Sequence, residues 1–489
     1  MRLLATLTAA LVLLDSTRAA AQPASASASI PVAEYAARRD SLLARLGDGA
    51  VVVAFGERAP SGFPAFYQVP TFRYLTGFLE PEAALLLARR GGVTTAILFR
   101  EPRSVRDVIW DGPPEDSAAL AARTGLALRP LAALPATVDS LIAARAVLYT
   151  LRDVRPYGGS VDSLTRGAAF AAALRRRSPA PELRSADAVL DSLRARKSDA
   201  ELALIRRAAE VTSAALRETI ARIHPGMREH AIQASIEHGF RARGADRPGF
   251  ATNVSAGVNA TIVHHRAADD VAEAGALVLM DVGAAVQGYT ADITRTVPAS
   301  GRFTPEQRAV YQLVRDAQAA AERLARPGAS VRELGDTARA VIARGLVRMG
   351  LIESADATFD PPWAPACAAS PAQCRQSFLF YNHGLGHGIG LEVHDPAYAP
   401  GPNGPSLAPG DAFTIEPGVY VSRLRLELLP DTPRNRAFAA RVRDAVARHH
   451  GIGVRIEDDY LVSARGVERI STVPREVEEI ERLMRQAPR

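Results

Sequence analysis

Two stretches of this chain repeat one spacing, and that repeat narrows the choice of fold more than any other feature. Gly275 precedes Asp281 by six positions, and Gly410 precedes Glu416 by six. Gly288 precedes Asp292 by four, and Gly453 precedes Glu457 by four. Each copy follows a pair of helix signals. Ser198-Asp199-Ala200-Glu201 reads as a capping box, in which the serine caps the N3 amide and the glutamate reaches back. Behind it Leu202, Ile205, Ala209, Leu216, Ile220 and Ile223 recur near the helical period until Pro225-Gly226. A second amphipathic segment runs from Arg228 to Arg243 and stops at Gly244. Thr304-Pro305-Glu306-Gln307 starts the plan again, with proline at the first helical position, and that helix ends near Pro327-Gly328. Ser330 opens a further helix that reaches Gly350. Apolar strands follow, Ala276 to Met280 in the first copy and Ala412 to Ile415 in the second. Residues 195–489 are therefore expected to form an α+β domain of two halves related by a pseudo-twofold, each offering carboxylates at matching sites.

The chain has 489 residues, more than one hydrophobic core usually fills, so a second domain is expected. Residues 32–190 supply it. The runs Ala50 to Phe55, Ala84 to Leu87 and Thr95 to Phe99, bounded by Gly and Pro, suit buried strands of an α/β domain. With 47% hydrophobic and 23% charged residues the chain reads as globular. The formal charge of +6 invites a nucleic-acid reading. Lys197 is the single lysine, however, and the arginines are spread among acids without a long like-charge run, so no nucleic-acid partner is expected.

Arg2, the apolar stretch Leu3 to Leu14 and the small-residue run Ala19-Ala20-Ala21 describe a signal peptide over 1–21, cut after Ala21. The apolar stretch falls short of the ~20 residues needed to cross a bilayer, and no later segment qualifies, so an exported protein without a stable membrane span is expected. Residues 22–31 read as a flexible Ala/Ser linker. Cys367 and Cys374, with six residues between them, do not make a disulfide scaffold or a zinc-finger spacing, but in an oxidising compartment they can pair.

The acids carry the chemistry. Asp281 and Glu416 end apolar strands, Asp292 sits in YTADITR, and Glu457 follows GVRI. A carboxylate among Ile, Leu, Val and Met is not buried unless it is paired, protonated or bound to metal. Histidines gather in HGLGHGIGLEVHD, from His383 to Asp395, and His264 ends another apolar run. The glycines there match no phosphate-binding fingerprint, so an open metal and substrate cleft is the better reading. Four carboxylates and one imidazole, without cysteine, favour two divalent ions of the Mn²⁺ or Co²⁺ type over structural zinc. Such a pair suits hydrolysis, because it can polarise a carbonyl and activate water.

These motifs bring in a resemblance. From about Lys197 to Val473 the chain resembles the pita-bread metallopeptidases, the group of methionine aminopeptidase, aminopeptidase P, prolidase and creatinase. The motifs are Asp281 with Asp292 eleven residues on, HGLGHGIGLEVHD, TIEPGVY and GVRIEDD. FRYLTGFLEPEAALLL (Phe72 to Leu87) and VRDVIWDG (Val105 to Gly112) resemble the N-terminal part of aminopeptidase P, a domain that methionine aminopeptidase lacks.

The resemblance implies that Asp292 and Glu457 bridge two ions, that Asp281 holds one, and that His387 and Glu416 complete the other. Mn²⁺ is the first expectation, with Co²⁺ or Zn²⁺ as alternatives. It implies that Glu416 is the general base and that His264, His383 and His394 line the cleft, bonding the scissile carbonyl and positioning or protonating the proline nitrogen. Arg455 would orient the Glu457 side. Trp110 matches a family tryptophan that reaches a neighbouring subunit's pocket, which fits a homo-oligomer.

The implied activity is removal of the first residue from peptides with proline second. The rivals are a prolidase, restricted to Xaa-Pro dipeptides, and a non-catalytic binding module of the same fold. Creatinase-like members lack the full ligand set found here. An insert at about 351–380, rich in Pro and Ala, departs from the family pattern; it is expected either to narrow the cleft or to decorate the surface.

Overall fold

A computed structural model describes residues 29–60, 65–153, 165–363, 371–402 and 404–486. The expected signal peptide, most of the linker, Cys367 and part of the insert lie outside the described residues. Cys374 is buried and has no free thiol. No helix among the described residues is long and apolar enough to cross a membrane.

The N-terminal part is built on six strands: β1 (Ala50–Phe55), β2 (Ala83–Arg90), β3 (Val93–Arg100), β4 (Ala127–Pro130), β5 (Val147–Thr150) and β6 (Leu183–Ser185). Their order is β4-β3-β2-β1-β5-β6. The central β1-β2-β3 ladder is antiparallel and the flanking pairs are parallel. Successive side chains alternate between faces, so this sheet separates two apolar clusters. Val51, Val53, Phe55, Leu86 and Phe99 meet Leu134, Val138 and Leu174 from covering helices. Val52, Ala54, Leu85, Leu87 and Leu98 face the other way, into a cluster that also holds Leu204, Ile205, Ala208, Ile389, Leu391 and Ala412. The second face of the sheet is covered by the helices Val32–Leu46 and Pro70–Thr76, through Leu42, Leu43, Phe72 and Leu75, and the apolar cluster continues from them into the C-terminal part.

The helix Asp199–Arg222 begins on the expected capping box, with the Ser198 hydroxyl accepting from Glu201 N and the Glu201 carboxylate accepting from Ser198 N. The same carboxylate accepts from the Tyr289 hydroxyl at 2.9 Å and pairs with Arg38 at 3.2 Å. One helix cap therefore also ties the two parts together. The helices Glu229–Ala242, Pro305–Leu324 and Val331–Arg348 stand where the periodicity predicts them.

After the first helix pair come β7 (Arg247–Pro248), β8 (Asn253–Ala256), β9 (Leu277–Val282), β10 (Ala284–Val286), β11 (Tyr289–Thr290) and β12 (Ile293–Pro298). After the second come β13 (Ala412–Ile415), β14 (Gly418–Val421), β15 (Ile452–Arg455), β16 (Asp458–Ser463) and β17 (Gly466–Arg469). In each half an antiparallel pair, β9 with β12 or β13 with β16, is accompanied by a second antiparallel pair, β10 with β11 or β14 with β15. The pseudo-twofold plan is present. Its rungs differ from the spacing, however. Thr294 pairs with Asp281, which puts Asp292 opposite Gly283, whereas Ile415 pairs with Asp458, which puts Glu457 opposite Glu416. Asp281 thus sits two residues away from the rung that matches Glu416, and on the same face. Gly283 cannot carry the ligand itself, because a Cβ there would lie 1.8 Å from Ala291 O.

The equal glycine spacing likewise hides unequal causes. Gly410 turns at φ +90°, a conformation costly for any residue with a Cβ. Gly275 has no such φ and nothing near its Cβ position. We expect Gly410→Ala to cost about 1–2 kcal/mol and Gly275→Ala to stay within about 0.5 kcal/mol, as read by denaturant unfolding of the two variants.

Candidate metal centre and substrate cleft

A cavity of about 450 Å³ opens between the two halves of the C-terminal part. Asp281, Asp292, His387, Glu416 and Glu457 all line it, together with His264, His383, His394 and Arg455. Every site residue expected from the sequence therefore meets in one place. Hollows of about 540 and 760 Å³ elsewhere contain no histidine. Among the described residues of the insert none lines the cleft; Trp363 packs against Phe359 and Phe378 instead, each at 5.9 Å between ring centroids.

The strand ends position the ligand-type side chains. His387 Nε2 lies 3.5 Å from Asp292 Oδ2 and 3.5 Å from Glu416 Oε1. Asp292, His387 and Glu457 each direct one donor atom to within 4.8 Å of the others. His387 Nδ1 donates to Gly388 O at 3.1 Å, which leaves the Nε2 lone pair facing the carboxylates, the tautomer that a metal ligand requires. Thr294 donates to Glu457 Oε2 at 2.7 Å. Asp292 Oδ1 and Glu457 Oε1 are buried and accept no hydrogen bond.

Charge explains what these orphaned oxygens imply. Burial, and then the negative charges of Glu457 and Asp281, push the Asp292 carboxyl well above the usual range. Burial and Glu457 do the same to Glu416. Burial and Asp281 push Glu457 up to about 7. Unpartnered, mutually repelling carboxylate oxygens around a neutral imidazole nitrogen fit divalent cations. Asp292, His387 and Glu457 bring one donor atom each to a common point, and Asp281 and Glu416 line the same cavity.

Arg455 reaches the Glu457 side through Thr294, its Nε donating at 3.2 Å to the hydroxyl that donates to Glu457 Oε2, and it has two further partners. Its Nη2 pairs with Asp281 Oδ2, and its Nη1 donates to the Tyr420 hydroxyl at 2.9 Å. Strand pairing explains the second: Gly418 opposes Arg455 in the β14–β15 ladder, which brings Tyr420 beside the guanidinium. Tyr420, having accepted from Arg455, donates to His383 Nε2 at 2.8 Å, while His383 Nδ1 donates to Gly384 O at 2.8 Å. Burial and the Arg455 charge push His383 down to about 3, so its ring is neutral with both nitrogens engaged. His264 and His394 differ. Both are exposed to the cavity, and His394 lies against His387 with ring centroids 4.0 Å apart.

Sequence reasoning missed Tyr420, Thr294 and Arg339, whose Nη2 donates to His383 O at 2.8 Å. Tyr420 stands in the quoted motif TIEPGVY, and its place four residues after Glu416 was the available signal. A second group of ligand types, Glu229, His265 and Asp270, is of another kind. The Glu229 carboxylate already accepts from Ala256 N, Asn259 Nδ2, His265 Nε2 and Ala268 N, and so staples the segment that carries His264.

Comparison with known proteins agrees with this geometry. Residues 203–464 match the model of metallopeptidase family M24, and residues 35–149 match the aminopeptidase P N-terminal domain. The chain is 30% identical to the Xaa-Pro aminopeptidase of Escherichia coli, over 92% of this chain and 97% of that one. An Xaa-Pro dipeptidase of Pyrococcus horikoshii is 29% identical over 63% of this chain and 71% of its own. The structure of Pseudomonas aeruginosa aminopeptidase PepP superposes with a TM-score of 0.77 at 33% identity, covering 94% of this chain and 99% of that one. The cavity of carboxylates and histidines, the two matched domains and these relatives lead to one conclusion: the chain belongs to metallopeptidase family M24 and is a metallo-aminopeptidase.

Proposed function

We propose that the protein removes the N-terminal residue from peptides whose second residue is proline, using two divalent ions held by Asp281, Asp292, His387, Glu416 and Glu457. The observation that carries this reading is the pair of orphaned oxygens, Asp292 Oδ1 and Glu457 Oε1, beside His387 Nε2. The proline preference rests on the relatives named Xaa-Pro aminopeptidase. Mn²⁺ suits the oxygen-rich donor set, with Co²⁺ or Zn²⁺ as alternatives.

Such cations supply Lewis-acid polarisation of the scissile carbonyl and activation of water. The side chains supply the rest. Glu416, whose Oε1 stands 3.5 Å from His387 Nε2 on the cavity wall, would take the proton of the attacking water. His264 and His394 face the cavity, where they would bond the scissile carbonyl and position or protonate the proline nitrogen. His383, held neutral by burial and locked between Gly384 O and the Tyr420 hydroxyl, forms a fixed wall beside Glu416.

We expect the metal-loaded enzyme to release the first residue from an Xaa-Pro-Yaa tripeptide. Turnover confined to an Xaa-Pro dipeptide would identify a prolidase instead. Asp292→Ala should lose about a thousandfold or more in kcat/KM, equivalent to about 4 kcal/mol. Equal turnover by that variant would point to a binding module.

The acid cluster also sets a pH dependence. A carboxyl raised from 4.5 to about 7 in the fold binds its proton more tightly there than in the unfolded chain. Its contribution is present below about 4.5 and lost as pH rises through about 7. Chelated protein should therefore show a falling Tm between pH 4.5 and 7.5, and adding Mn²⁺ should flatten the fall at the upper end.

Export and self-assembly complete the reading. The N-terminal signal motif supports export, and the helix Val105–Asp111 supports assembly because Val105, Ile109 and Trp110 are each at least 70% exposed. Sequencing the N-terminus of secreted protein should begin at Gln22, and light scattering of the same sample should give a multiple of the chain mass.

A further inference from the structure

Of the 59 Lys and Arg residues one is a lysine, Lys197, and it is buried. It stands in the junction that follows the N-terminal sheet, directly ahead of the helix Asp199–Arg222. Lys197 Nζ donates to Pro396 O at 2.6 Å and lies 3.0 Å from Asp395 Oδ2. Arg194, at the end of the helix Asp187–Arg194, reaches the other oxygen, Asp395 Oδ1, and also Glu392 Oε2 at 2.6 Å. The Asp395 carboxylate is thus held from two sides. Its backbone N–H donates to Gly388 O at 2.8 Å, and a Cβ on Gly390 would lie 2.5 Å from Asp395 Oδ2. The glycine motif therefore leaves room for this carboxylate to fold back.

None of these three residues lines the cleft, yet His394, which does, lies between Glu392 and Asp395 in the chain. An ammonium suits the Lys197 position. It is compact, with three donors, and serves a carbonyl and a carboxylate at once. Arg194 shows what a guanidinium incurs in the same surroundings, since its Nε and Nη1 are buried without acceptors. We propose that Lys197 and Arg194 are positioning residues: by clamping Asp395 they set the His394 ring in the cleft, so that the junction between the two parts of the chain fixes a group that meets the peptide. The proposal rests on the aminopeptidase reading above.

The test uses full-length, metal-loaded enzyme and an Xaa-Pro-Yaa peptide. Lys197→Met should lower kcat/KM roughly 10- to 100-fold with bound metal unchanged. On the residual turnover of His394→Ala it should cause no further loss, because the effect passes through that ring. The same loss on both backgrounds, or no loss on the wild-type background, overturns the proposal. Asp395→Asn replaces Lys197→Met in this cycle if the latter does not fold. Hydrogen exchange over residues 388–396 gives a readout free of activity. Faster exchange in either variant supports the clamp, and unchanged exchange overturns it. If wild-type protein cleaves no Xaa-Pro peptide, the functional reading fails alone, and the exchange data still decide on the clamp.

Discussion

Negative charge gathered in one low-dielectric hollow is the constraint on which the rest of this structure turns. Asp281, Asp292, Glu416 and Glu457 share the cavity, and Arg455 makes its direct ion pair with Asp281. Left to themselves the other three hold protons more tightly, through burial and mutual repulsion. Backbone ladders hold the carboxylates together against that repulsion. Asp281 lies on β9, Asp292 and Glu457 stand one residue ahead of β12 and β16, and Glu416 one residue beyond β13. Glu457 N also donates to Thr294 O, which joins the two ladders across the pseudo-twofold. The strain is electrostatic, and rigid strands contain it.

Around that centre the histidines divide the work by their partners. His387 spends one nitrogen on a carbonyl and presents the other to the carboxylates. His383 spends both, on Gly384 and Tyr420, and becomes part of the frame. His394 and His264 face the open cavity. Three rings from one glycine-rich motif thus take three different positions relative to the same pair of strands.

Much of this was legible in the sequence, for a physical reason. Capping boxes, helical periodicity and apolar strands ending in an acid are local patterns, so Ser198, Thr304, Asp281 and Glu416 could be placed from neighbours alone. What escaped depends on pairing across strands. The further partners of Arg455 are set by the β14–β15 register and by the approach of β9, and the two-residue offset between Asp281 and Glu416 by ladders that no spacing records. The locking of His383 required Tyr420, whose hydroxyl reaches it only after β14 has folded against β15. The residues that line the cleft were readable as a set; their hydrogen-bond partners were not.

The N-terminal sheet hides one whole face under the helices Val32–Leu46 and Pro70–Thr76, in an apolar cluster that joins Leu85, Leu87 and Leu98 to Leu204, Ile205 and Ala412 of the C-terminal part. Ala412 opens the strand that leads to Glu416. A chain cut between the two parts would bare greasy surface on both pieces, one of them at the start of the strand that leads to Glu416. The smaller part therefore shares a continuous greasy interior with the larger one and does not hang from it as a separate body.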